Sequence, residues 1–152
     1  MDSARRPLVI ATLACSLLLT ACVGFERNWQ RAQRAHPAPH RGLEGVWEGS
    51  WKSGANGHSG GLRCIVRKTG ADRYEFYYWA TWARVLSGGF KIEVEAVEKD
   101  GKWSFSGDKD LGKLGGAFSH EGEATALELK ATFKSDRGDH GTFQLTRPKG
   151  EG

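Results

Sequence analysis

Three groups of residues in this 152-residue chain carry side chains of the kind that do chemistry. Gly57-His58-Ser59-Gly60-Gly61 has the Gly-x-Ser-x-Gly spacing of a nucleophile elbow, in which a sharp strand-to-helix turn lifts a serine hydroxyl above a parallel α/β sheet. Here an extended segment follows instead of a helix, and the chain is too short for that fold. The stretch reads as a glycine-rich loop, and no catalytic residue is assigned. His58 and His140, with Asp108, Asp110, Asp136 and Asp139, are ligand types for a metal, and a single histidine is enough to hold haem. They sit in loop-like stretches without ligand spacing, and Asp108 to Gly112 lacks the remaining groups of a calcium loop. The expectation is no metal and no cofactor. The third group is sulfur. Cys64 lies between Leu62 and Val66 on one face of an extended run with nothing nearby to lower its pKa, so it reads as a small hydrophobe.

Cys22 has a different setting. Arg5 and Arg6 precede an apolar run from Leu8 to Ala21, 14 residues long, short of the roughly 18 that a membrane span needs. This is the layout of a secretory signal peptide. Its end, Leu19-Thr20-Ala21-Cys22, resembles the lipobox of bacterial lipoproteins. The resemblance implies cleavage before Cys22, diacylglycerol on its thiol, and anchoring in a membrane. Several acyl chains make a durable anchor where one binds only marginally. Val23 stands where an aspartate would signal inner-membrane retention, which implies the cell envelope, at the periplasmic face of an outer membrane. Cys64 then remains the only free thiol. Loss of residues 1–21 removes Arg5, Arg6 and Asp2 and leaves 20 basic against 17 acidic residues. A net charge so small and dispersed excludes nucleic acid as an expected partner.

The elements that follow must position whatever the protein uses. Residues 22–42 read as a basic tether. Phe25, Trp29 and Ala32 share one helical face opposite Arg27, Arg31 and Arg34, which predicts either an amphipathic helix lying in the headgroups with its aromatic side in the lipid, or a frayed linker. His36-Pro37-Ala38-Pro39-His40 then forms a stiff spacer, because each proline holds its predecessor extended.

From Leu43 the periodicity changes to two, the mark of half-buried strands. Eight strands are predicted near 45–52, 61–68, 73–82, 89–98, 102–107, 114–119, 124–134 and 141–147, with no helix after Gly42. Turns are expected at Thr69 to Asp72, Asp100-Gly101, His120-Glu121-Gly122 and Asp136 to Asp139. The pattern predicts one all-β domain over 43–148, an eight-stranded antiparallel up-and-down barrel, which leaves no open edge. A β-sandwich is the alternative, and residues 149–152 read as a disordered tail.

Gly45, Trp47, Gly49 and Trp51 alternate along one side of the first strand, small with large, as a narrow barrel interior requires. Gly45-Val46-Trp47 also resembles the first-strand motif of the lipocalins and their calycin relatives. The resemblance implies a base in which Trp47 packs beneath an arginine from the last strand, here Arg147. The Thr-Asp-Tyr motif, the C-terminal helix and the disulfides of that family are missing. Avidins and nitrobindin-like haem barrels share the first-strand motif, so the likeness implies the barrel and not its cargo.

Trp51, Leu62, Cys64, Val66, Phe90, Ile92, Val94, Trp103, Phe105, Phe118, Leu129, Phe133, Phe143 and Leu145 are predicted to face inward, with Gly49 and Gly116 leaving local room. In the third strand Tyr74, Phe76 and Tyr78 oppose Tyr77 and Trp79, so either one aromatic set faces outward, toward a partner, the tether helix or the membrane, or a bulge turns Trp79 inward. The expectation is a non-enzymatic, lipid-anchored envelope protein. Its barrel binds a small hydrophobic ligand through Trp51, His58, Cys64 and Trp103. The alternative is a filled barrel that serves as a structural module and meets an envelope protein through Tyr77 and Trp79.

Overall fold

A computed structural model describes residues 22–83, 86–110 and 112–149; residues 1–21, where the signal peptide is expected, and residues 150–152 lie outside the described residues. Helix α1 covers 22–35. Eight strands follow: β1 (Gly45–Ser53), β2 (Ser59–Lys68), β3 (Arg73–Trp82), β4 (Leu86–Lys99), β5 (Lys102–Asp110), β6 (Ala117–Ala124), β7 (Glu128–Ser135) and β8 (His140–Thr146). Each pairs antiparallel with its neighbour in sequence, and β1 also pairs with β8. The sheet is therefore a closed up-and-down barrel and not a sandwich. Closure satisfies the backbone groups that an open edge would leave unpaired.

Alternation writes the two faces directly. In β7, Leu129, Ala131 and Phe133 are buried between exposed Glu128, Lys130, Thr132 and Lys134. All the residues predicted to face inward join one core, Trp51 and Phe90 only half-buried, and Tyr74, Phe76 and Tyr78 complete it. Where a strand must reverse at once, the sequence supplies the left-handed pair Asp100 (φ 54°) and Gly101 (φ 77°), a two-residue hairpin connection.

Four local expectations are corrected. His120-Glu121-Gly122 is not a turn but the middle of β6, with His120 buried. Gly122 is there for close approach, since a Cβ would stand 2.3 Å from the Lys130 carbonyl oxygen. The chain turns instead at 125–127. Gly49 leaves no room either: a Cβ would stand 2.0 Å from the Gln144 oxygen of β8, and at Gly116 the Asp136 carboxylate fills the space. Ser59 to Gly61 belong to β2, paired with Ser50 to Lys52, so the expected first loop shrinks to 54–58. A short helix after Gly42, α2 (Gly112–Gly115), also forms.

The largest departure is the tether. Helix α1 lies on the outer wall of the barrel, where Phe25, Trp29 and Ala32 bury with Val46, Ile65 and Trp79, and Tyr77 packs alongside. Its aromatic face is in protein, not in lipid, and the segment is neither frayed nor separate from the barrel. The spacer likewise folds onto the barrel end, with the His36 side chain against Gly45.

Candidate functional site

The barrel has two ends. The base carries the β2–β3, β4–β5 and β6–β7 connections and the point where the chain enters β1; the rim carries the other connections. At the base, the Arg147 guanidinium lies 3.6 Å from the centre of the Trp47 ring. It donates to the carbonyls of Ala126 (3.0 Å), Glu44 (3.0 Å), Val46 (3.2 Å) and Gly42 (2.6 Å). Burial lowers its pKa to about 10. Trp47 Nε1 donates to the Leu43 carbonyl at 3.0 Å. Gly45 is left-handed (φ 112°), and a Cβ there would meet Arg147 at 3.0 Å and His36 at 3.1 Å, so only glycine fits beneath the cation.

The ligand candidates are not brought together. Trp51 stands at the rim, half-buried, with Nε1 donating to the Thr81 carbonyl at 3.0 Å. His58 is exposed in the loop just outside. Trp103 is buried at the opposite end, paired with Ala124. Cys64 is fully buried between them. Tyr77 and Trp79 do face outward, but α1 covers them: Phe25 stacks on Trp79 at 5.2 Å and meets Tyr77 edge-on at 5.0 Å. Arg63 binds this patch from β2, through Glu26 at 2.9 Å and over the Phe25 and Trp29 rings at 4.9 and 5.0 Å.

Sequence reasoning missed the interior's polar centre. The Tyr78 hydroxyl and His120 Nε2 are 2.8 Å apart, and the buried Cys64 thiol lies beside the same hydroxyl. Phe76, Phe105, Phe118 and Phe143 surround the imidazole at 5.3 to 6.5 Å between ring centres. Removal from water favours every neutral form: His120 falls to about 4, and burial pushes the Cys64 thiol and Tyr78 phenol well up. His120 Nδ1 is buried with no partner among the described residues. The signal that was available is the run Phe118, His120, Gly122, Ala124 at period two, which a strand reading would have carried through the turn residues.

In this centre a neutral imidazole and a protonated thiol are enclosed by phenyl rings. Among the described residues no three histidine, cysteine or carboxylate side chains gather as metal ligands, and His58 and His140 are apart from such a set. A hollow of about 870 Å³ lies toward the rim of β1 and β5–β8, lined by exposed Ser106, Glu121 and Lys134 together with buried Ser53, His120 and Phe133. No helix among the described residues is long and apolar enough to cross a membrane. No protein-family model and no curated protein matches the chain.

Proposed function

We propose that the protein is a lipid-anchored module of the cell envelope, held through Cys22 at the periplasmic face of an outer membrane, with a filled barrel that acts by contact and not by catalysis. The observation that carries the filled-barrel reading is the interlocked interior. Cys64, Phe76, Tyr78 and His120 are all buried, and their rings and those around them meet at van der Waals separations. An eight-stranded barrel has an interior that side chains can fill or that one small ligand can share, and here aromatic side chains take it. The expected aromatic partner surface is already taken by α1, so the surface left for an envelope protein is that of β5–β8 beside the hollow.

A second reading, a small hydrophobic ligand near the rim, draws on His120 Nδ1, which lacks a partner, and on the half-buried Trp51 and Phe90 above it. Native mass spectrometry of the chain from residue 22 with Cys22→Ser, exposed to an extract of its host's membranes, separates the two. A bare mass is expected. A reproducible added mass, lost on denaturation, would establish the ligand reading instead.

A further inference from the structure

Helix α1 fixes where the anchor sits relative to the barrel. Phe25 stacks on Trp79 and Glu26 pairs with Arg63, and Arg63 and Trp79 are partners across β2 and β3. Farther along, Asn28 accepts from Arg67 at 3.0 Å, four residues down β2 toward the base, beside Glu75. At its end the chain reaches Gly45 through His36. The helix therefore descends from rim to base, and its first described residue, Cys22, points to the rim at the β3–β4 hairpin. From Phe25 to Cys22 the helix rises about 4.5 Å, and from Trp79 to Trp82 the strand extends about 10 Å. Cys22 thus stands within about one helical turn of the hairpin.

That end of the molecule also exposes large apolar side chains. Val23 is 57% exposed, Leu86 52% and Trp82 39%. Trp82 and Leu86 are partners across the hairpin, with the Trp82 ring over Gly88. The other two exposed large hydrophobics among the described residues, Val97 and Leu127, lie toward the base, where single exposed residues are ordinary. We infer that the rim formed by Val23, Trp82 and Leu86 docks on the surface of the phospholipid bilayer that holds the anchor, with the Arg147 base directed away.

Two steps support the bilayer as occupant. Acyl chains on Cys22 must enter the membrane, and α1 is clamped to the barrel, so the adjoining rim is carried to the headgroups. There a tryptophan and an aliphatic side chain gain from the interface, while exposed Arg27, one turn along, faces the lipid phosphates. The inference rests on the lipid-anchor reading.

The test uses the lipidated protein in phosphatidylethanolamine–phosphatidylglycerol vesicles, with a nitroxide placed through Leu86→Cys or, at the opposite end, Leu127→Cys. Both sites are exposed, and buried Cys64 is shielded from the label. The expected result is flotation with the vesicles and an oxygen-to-nickel accessibility ratio severalfold higher at position 86 than at 127. A floating protein with equal ratios at both positions would overturn the docking and spare the anchor. A protein with no lipid on Cys22 and no flotation would overturn both.

Discussion

His120 is the residue whose chemistry the fold changes most. Its ordinary pKa of 6.5 falls to about 4 because the imidazolium would have to exist among phenyl rings without water. Between those values the unfolded chain takes up a proton and the native one does not, so stability declines as pH falls from 6.5 toward 4 and levels below that. At 1.36 kcal/mol per pKa unit the loss is roughly 3 kcal/mol. Urea unfolding of the wild type and of His120→Phe at several pH values checks this, since the variant keeps the acid sensitivity of the surface carboxylates and lacks this contribution. Equal slopes in the two proteins would mean that water reaches the imidazole. The same residue shows a limit of reading sequence by composition. A His-Glu-Gly triplet has turn chemistry, and only the register of β6 on β5 and β7 makes His120 an interior group.

At the scale of elements, the strands were legible, and the helix's destination only as one of three readings of the outward aromatic set. Period-two alternation separates inside from outside within each strand, so most of the barrel's core residues follow from spacing, the Tyr74, Phe76, Tyr78 face and His120 excepted. The strands proved longer than expected at β4 and β5, because polar residues on the outer face continue the ladder where apolar alternation fades. Helix α1 is amphipathic by sequence, but amphipathicity states that a face will be buried and not against what. The complementary signal was the outward set Val46, Ile65, Tyr77 and Trp79, spread over three consecutive strands that the β1–β2 and β2–β3 pairings set side by side. Phe25 is fully buried at the centre of this contact. Phe25→Ala is expected to destabilise the chain by about 3–5 kcal/mol, as for other large-to-small core changes. Guanidinium unfolding measures it. A change below about 0.5 kcal/mol, the range of surface substitutions, would show the helix detached in solution.

The whole molecule is a ring of local hairpins that must still be fastened shut. Seven of the eight strand pairings join neighbours in sequence, and only β1 with β8 spans the chain. Arg147, just past the end of β8, acts across that same seam. Its guanidinium holds carbonyls of residues 42, 44 and 46 on the entering chain and of 126 at the β6–β7 connection, while covering the Trp47 ring. The Trp47–Arg147 pairing could be expected only through the lipocalin resemblance, because a single arginine a hundred residues from a tryptophan carries no periodicity. Arg147→Met keeps an aliphatic stem of similar length over the indole and removes every donor. The Val46 carbonyl is buried and loses a charged hydrogen bond, whereas the other three can turn partly to water. The expected loss is therefore about 2–4 kcal/mol, nearer one buried unsatisfied group and one cation–π contact than four full hydrogen bonds. Because the seam is the long-range contact, the loss should appear first as faster amide hydrogen exchange in β1 and β8, with β3 and β4 holding their protection. Uniform loss in all eight strands would instead mean that the barrel opens as one cooperative unit and that Arg147 stabilises the whole ring rather than its closure.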